Sequence, residues 1–177
     1  MTYSQVSETA AAMCVEVFSA KPLLKDGREI SSSNIRTLIS KGDVTAAQEL
    51  LGRPYMLEGT VIHGRHEGTG MGFPTANLSL RCNDKVIPAG GVYAVRAMLD
   101  GCTYGGMMNI GTRPTLKNGA DVSLETHLFG FSGEAYGKEM TVCFVQRMRD
   151  EMEFPSSDAL QGQLTLDAGE ARKILER

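Results

Sequence analysis

The chain has no tryptophan, only 6% aromatic residues, and four cysteines, Cys14, Cys82, Cys102 and Cys143, that stand far apart. None belongs to a C-x-x-C pair or a Cys/His cluster, so a zinc site has no support. Scattered thiols in a domain of this size point to reduced core residues and a cytoplasmic setting. Apolar runs of the ~20 residues needed to span a bilayer are missing, as is a basic-then-apolar leader, so neither membrane insertion nor secretion is expected. A basic excess is also lacking. The formal net charge of −3 offers no global field for nucleic acid, and nucleic acid is not an expected partner. There is no internal repeat and no low-complexity segment. What remains is a soluble globular chain of 177 residues with a 42% hydrophobic fraction, enough for a core.

Its character changes near position 53. Before that point the periodicity is helical. A helix is predicted from Ser4 to Met13, followed by a short apolar run at Val15-Glu16-Val17-Phe18 and a turn at Lys25-Asp26-Gly27-Arg28. Ser31 to Asn34 supply caps for a second helix carrying Ile35, Leu38 and Ile39. Gly42 stops it. Asp43 caps a third, with Val44, Ala47, Leu50 and Leu51 on one face and Gly52 and Pro54 at its end.

From Tyr55 the period shortens. Strands are predicted at Tyr55–His63, Val92–Leu99, Gly105–Ile110, Ser123–Phe131 and Met140–Arg147. Asp100-Gly101, Lys117-Asn118-Gly119 and Ser132-Gly133 mark turns between them. Strands joined by short turns without helices between them predict an antiparallel barrel or sandwich. A helical tail is expected from Ser156 to Leu175, although Gly162 and Gly169 weaken it.

The segment richest in chemistry runs from His63 through Asn77. Four glycines in nine residues, from Gly64 to Gly72, can turn backbone N–H groups toward one point, as in a phosphate-binding nest. It is neither a Walker A loop nor a dinucleotide fingerprint, and a plain hairpin loop also fits. Pro74 stiffens the chain before Thr75 and Asn77, which project to one side of an extended segment. A hydroxyl and an amide oxygen there form a hard, neutral pair suited to Mg²⁺, or they bond to local backbone. In Leu124-Glu125-Thr126-His127-Leu128, alternation puts Ser123, Glu125 and His127 on one face and Leu124, Thr126 and Leu128 on the other. Glu125 is then a solvated carboxylate or a general base at a cleft mouth. His66 and His127 have no partner at a telling spacing and read as ordinary polar residues. Asn109 to Thr115 reads as a strand end entering a tight loop.

Taken in order, Leu51-Gly52-Arg53-Pro54-Tyr55, His63-Gly64, Gly72-Phe73-Pro74-Thr75-Ala76-Asn77, Gly91-Val92-Tyr93-Ala94, Asn109-Ile110-Gly111-Thr112-Arg113-Pro114-Thr115, Glu125-Thr126-His127 and Tyr136-Gly137-Lys138 resemble bacterial riboflavin kinase. That resemblance implies a six-stranded antiparallel Greek-key barrel with a C-terminal helix over residues 53–177. It implies ATP and riboflavin as substrates, ADP and FMN as products, and Mg²⁺ as cofactor. In its terms Thr75 and Asn77 hold Mg²⁺ against the phosphates. The loop with His63, Gly64, Gly68, Thr69 and Gly72 wraps the nucleotide, and Leu57 lies near it. Glu125 is the base for the ribityl hydroxyl, and Arg149, Met152 and Phe154 contact flavin. Residues 1–52 resemble the C-terminal remnant of an FAD synthetase (adenylyltransferase) domain, with Ile30-Ser31-Ser32-Ser33-Asn34-Ile35-Arg36 matching its late Ser-Ser-Thr-x-Ile-Arg motif. The early Gly-x-Phe-Asp-Gly-x-His segment is absent, so FAD synthesis by this chain alone is not expected. A monomer is expected, with the short α/β fragment at the N-terminus as a possible sticking surface. Two departures stand out: Thr69 replaces a common Arg or Lys, and Arg149-Asp150-Glu151 replaces Arg-Pro-Glu. The shortened adenylyltransferase part and Thr69 leave a non-catalytic flavin-binding or regulatory module as the alternative.

Overall fold

A computed structural model of the chain describes residues 3–64, 72–82, 84–115 and 119–177, with backbone alone at 112–115 and 119–121. By contacts the chain divides into two compact units, Met1–Ser31 and Ser32–Arg177.

The first unit contains α1 (Tyr3–Ala12) and a hairpin of β1 (Leu24–Lys25) and β2 (Arg28–Glu29). Helix α1 buries none of its residues, and Phe18 is 86% exposed, so this unit has no core of its own. The hairpin turns on Asp26 and Gly27, both at positive φ, which is the geometry that two-residue hairpins require.

The second unit opens with α2 (Ser32–Ser40) and α3 (Val44–Leu51). Asp43 caps α3 by accepting a hydrogen bond from the Ala46 N–H at 3.1 Å, and Gly52 closes it in the left-handed region, at φ 71°. Val44, Ala46, Ala47 and Leu50 form its buried face.

Six strands follow: β3 (Met56–Ile62), β4 (Ala76–Leu80), β5 (Gly91–Leu99), β6 (Cys102–Thr115), β7 (Gly119–Leu128) and β8 (Glu139–Arg149). They close into a barrel in the order β3-β4-β7-β6-β5-β8, every neighbouring pair antiparallel. Strands β5, β6 and β7 follow one another as hairpins, and β8 returns beside β5, which is the Greek-key connection. The β5–β6 hairpin is set by Asp100 and Gly101, at φ 51° and 77°, so that Leu99 pairs directly with Cys102. Inside the barrel Leu57, Val61, Tyr93, Met108, Val142 and Phe144 are almost wholly shielded from solvent. The Tyr93 and Phe144 rings meet edge to face at 5.3 Å, a geometry worth about 0.5–1.5 kcal/mol beyond their burial.

The barrel and its C-terminal helix are those expected. Two strands differ in detail. The sixth, β4, carries the Ala76/Leu78/Leu80 alternation toward the core in five residues. A strand that short, following Pro74, leaves little periodicity to read. Strand β6 runs well past Ile110, because its polar end pairs with β7 as far as Thr115–Gly119 rather than entering a loop.

Helix α4 (Ser157–Leu175) is continuous through Gly162 and Gly169. Ser156 caps it, accepting from the Ala159 N–H at 3.2 Å. Ala168, Ala171 and Ile174 pack on Val92, Ala94 and Met107 of the outer barrel wall as a second apolar cluster. The helix therefore covers one side of β5 and β6 and leaves its first two turns to form the wall of a cavity.

Candidate functional site

Thr75 lies where two cavities meet. The first, of about 250 Å³, opens at the barrel end among Val61, Thr75, Thr126, Phe131 and Tyr136. The second, of about 220 Å³, lies on the outer wall under α4, among Thr75, Asn109, Glu125, Arg149, Met152 and Phe154. Each combines apolar walls with a few convergent polar groups, as small-molecule sites do.

The sheet register explains how the polar groups come together. Asn77 of β4 pairs with Glu125 of β7, and Glu125 pairs in turn with Asn109 of β6. Facing residues on neighbouring strands share a side of the sheet, so an amide, a carboxylate and a second amide stand abreast on the outer wall. Their neighbours Ala76, Leu124, Thr126 and Ile110 are buried on the inner side. Asn77 is itself only 7% exposed. Its amide lies over Gly64: a Cβ added there would stand 1.9 Å from Asn77 Nδ2. Glycine at 64 thus makes the space in which Asn77 sits.

At the barrel end, Tyr136 lines the first cavity, and His63 stacks on it with ring centroids 3.7 Å apart. Thr126 lines that cavity, is fully buried, and its Oγ1 has no hydrogen-bond partner. A buried unpaired hydroxyl costs about 1–3 kcal/mol, so the cavity is built for a polar guest or for water.

On the other side, Arg149 is fixed by a bidentate pair with Asp167 of α4: its Nη2 lies 2.6 Å from Oδ2 and its Nε 3.0 Å from Oδ1. Asp167 is 2% exposed and also accepts from Gln163 Nε2 at 2.8 Å. The Arg149 guanidinium then faces the Phe154 ring at 6.0 Å. Glu151 lies across Gly90 and Gly111, where added Cβ atoms would stand 3.1 and 2.8 Å from its carboxylate oxygens.

Thr75 Oγ1 and Asn77 Oδ1 are hard, neutral oxygen donors of the kind that Mg²⁺ accepts in small number alongside phosphate and water. Among the described residues no group of three or more His, Cys, Asp or Glu could hold a metal by itself, so a metal here would need ligands from a bound phosphate. The absence of a Cβ at Gly64 leaves the room that the Asn77 amide occupies, so a neutral oxygen donor fits there.

A family model described as flavokinase, riboflavin kinase, matches residues 51–175. The chain belongs to the riboflavin kinase family. It is 42% identical over 151 residues to the bifunctional riboflavin kinase/FMN adenylyltransferase of Bacillus subtilis, covering 84% of this chain and 48% of that protein. A crystal structure described as a macrolide-efflux protein from Streptococcus pneumoniae superposes with a TM-score of 0.83 at 34% identity, over 94% of this chain and 54% of that one. Riboflavin kinase from Trypanosoma brucei shares the fold, with a TM-score of 0.51 and 21% identity over 70% of this chain and 78% of that one. The chain spans about half the length of the curated relatives it matches. Among the described residues, no helix is long and apolar enough to cross a membrane.

Within this riboflavin kinase domain, Thr75 and Glu125 line one cavity with Arg149, Met152 and Phe154, whereas Asn77 is the register partner of Glu125 but, being buried, lines neither cavity. Gly64 lies against Asn77, and His63 stacks on Tyr136, which lines the other cavity, without lining it itself. Gly72, at φ 79°, is exposed in the turn before Phe73. Leu57 stands apart: it faces the barrel core with Val61, at 0% exposure, and lines neither cavity. Gly68 and Thr69 lie outside the described residues.

Sequence reasoning passed over Asn109 as a wall residue, Asp167 as the anchor of Arg149, and His127, whose ring lines the second cavity. Asn109 was legible in principle, as the register partner of Glu125. Asp167 was not, because a single acid within a helical stripe looks the same whether it faces solvent or a buried arginine.

Proposed function

We propose that this domain transfers the γ-phosphate of ATP to the ribityl 5′-hydroxyl of riboflavin, giving FMN and ADP. The observation that carries this reading is Thr75 at the junction of two cavities, with Glu125 on the wall of one of them beside Asn77. Phosphoryl transfer needs two ligands that meet end to end at one phosphorus. The barrel-end cavity takes the nucleotide, with Tyr136, on which His63 stacks, in its wall. The α4-side cavity takes the flavin ring against Phe154 and Met152, with Arg149 and Glu151 supplying polar contacts at its edge.

Thr75 and Asn77 are the residues that would hold Mg²⁺. When bound, the ion neutralises charge on the transferring phosphate. Asn77 has its room because Gly64 carries no Cβ, and Pro74 stiffens the chain just before Thr75. Glu125 accepts the proton of the attacking hydroxyl as its oxygen bonds to phosphorus and the β–γ bridging bond breaks, with ADP as the leaving group. Glu125 is anchored in the middle of three paired strands, so its position costs little to maintain. Most of the acceleration comes from this positioning. Residues 1–52 are read as resembling the C-terminal part of an adenylyltransferase domain, and FAD formation is not expected from this stretch alone.

Thr75→Val tests the reading, because it keeps the shape and removes the hydroxyl. FMN formation is expected to fall at least about 100-fold, while riboflavin still binds the α4-side cavity. Unaltered FMN formation would remove Thr75 from the phosphate site.

A further inference from the structure

The β4–β7 ladder ends at the pair Ala76–Thr126. One step further along the same register, Thr75 stands opposite His127. The backbone ladder cannot continue far here, since Pro74 has no N–H to give. A side chain takes over instead. His127 Nδ1 lies 2.9 Å from the Pro74 carbonyl oxygen. A carbonyl can only accept, so Nδ1 carries the proton. The imidazole cannot swing away, because Phe73 and Phe129 meet it edge-on at 5.2 and 5.6 Å. The hydrogen bond thus joins a core strand of the barrel to the peptide unit that links Pro74 to Thr75.

We propose that His127 is a positioning residue of the phosphate site: its Nδ1–H holds the Pro74–Thr75 peptide so that the Thr75 hydroxyl is presented at the junction of the two cavities. His127 touches neither the reacting oxygen nor phosphorus in this account. It acts through Thr75, and the inference rests on the reading of Thr75 as a phosphate-side and metal-side ligand. The Phe73 and Phe129 contacts fix the ring plane, so the donor itself is what matters, and its location on the ring matters with it.

Three substitutions separate the donor from the ring. His127→Asn places an N–H close to where Nδ1 stood. His127→Gln places one near the position of Nε2. His127→Phe keeps the ring and removes both. Two readouts are taken on each, with thermal unfolding to confirm a folded barrel. The first is amide hydrogen exchange over residues 72–78 in the ligand-free protein, which does not depend on any activity. The second is half-saturation by Mg²⁺ and ATP, separated from kcat, in FMN formation.

His127→Phe and His127→Gln are expected to accelerate exchange at Thr75–Asn77 and to raise half-saturation about 10-fold or more, with a smaller change in kcat. His127→Asn is expected to restore both to within about 3-fold of the parent. Equal behaviour of the Asn, Gln and Phe variants, whether all intact or all impaired, would overturn the tether. If exchange separates Asn from Gln and Phe while the parent makes no FMN, the tether stands and the kinase reading of the site fails.

Discussion

The Arg149 guanidinium of β8 grips the carboxylate of Asp167, which is buried in α4, with contacts of 2.6 to 3.1 Å. This pair joins the barrel wall to the helix that roofs the α4-side cavity. It also supplies the charge partner that lets Arg149 sit beside Phe154. Asp167→Asn would leave the arginine without its countercharge. The expected cost is about 3 kcal/mol in urea unfolding, the lower end for breaking one side of a buried pair because Arg149 keeps some solvent contact. The riboflavin KM should rise with it, and that of ATP far less. Equal changes in the two KM values would mean that the pair acts on the fold alone.

Glu125→Gln preserves the size of the side chain and its place between Asn77 and Asn109. If Glu125 is the base, kcat falls by about 10²- to 10⁴-fold and the KM for ATP changes little. A steady-state comparison of the two proteins decides it. Turnover within a few-fold of the parent would rule out the carboxylate as proton acceptor.

Gly64→Ala puts a methyl group into the space of the Asn77 amide. Asn77 is buried, so moving its amide aside should also cost about 1–3 kcal/mol in urea unfolding, and the variant is checked for a folded barrel before the titration. The Mg²⁺ concentration required for half-maximal FMN formation should rise about 10-fold or more. A magnesium titration checks this, and an unshifted curve would show that the amide is not needed there.

Alkaline pH offers a test of the core. Burial raises the Tyr93 phenol above its ordinary value, with Arg147 opposing, and burial raises Tyr55 likewise, against its hydrogen bond to Val86 and the charge of Arg36. Burial also pushes the Cys143 thiol up. In each case the folded state holds the proton more tightly than the unfolded chain. The stabilisation is therefore complete below the unfolded pKa and is lost as pH rises through the folded one. The window opens near about pH 8.5 for the thiol and about pH 10 for the phenols. Urea midpoints taken from pH 7 to 11 should fall in that range, and Tyr93→Phe should make the upper limb shallower. Identical limbs in the two proteins would contradict the assignment.

Much of this architecture could be read in the sequence because it rests on local signals. Asp43 and Gly52 bracket α3, Asp100-Gly101 fixes a two-residue hairpin, and Ser156 starts α4. Each is a short-range interaction whose residues are adjacent in the chain. The alternation around Glu125 likewise set it on the face opposite Leu124 and Thr126, which the register makes the outer wall. Less legible was whatever depends on which strands become neighbours. Strand β4 is too short to show its period, and its place between β3 and β7 is a tertiary outcome. The bonds from His127 to Pro74 and from Arg149 to Asp167 span 53 and 18 residues. No local pattern distinguishes such residues from ordinary solvated ones.

The most direct measurement is to incubate the purified chain with riboflavin, ATP and Mg²⁺ and separate the flavins by chromatography. FMN is expected to accumulate, with ADP forming in step with it and no FAD appearing. Riboflavin left unconverted, even if it remains bound to the protein, would contradict the assignment of Thr75, Asn77 and Glu125 to phosphoryl transfer.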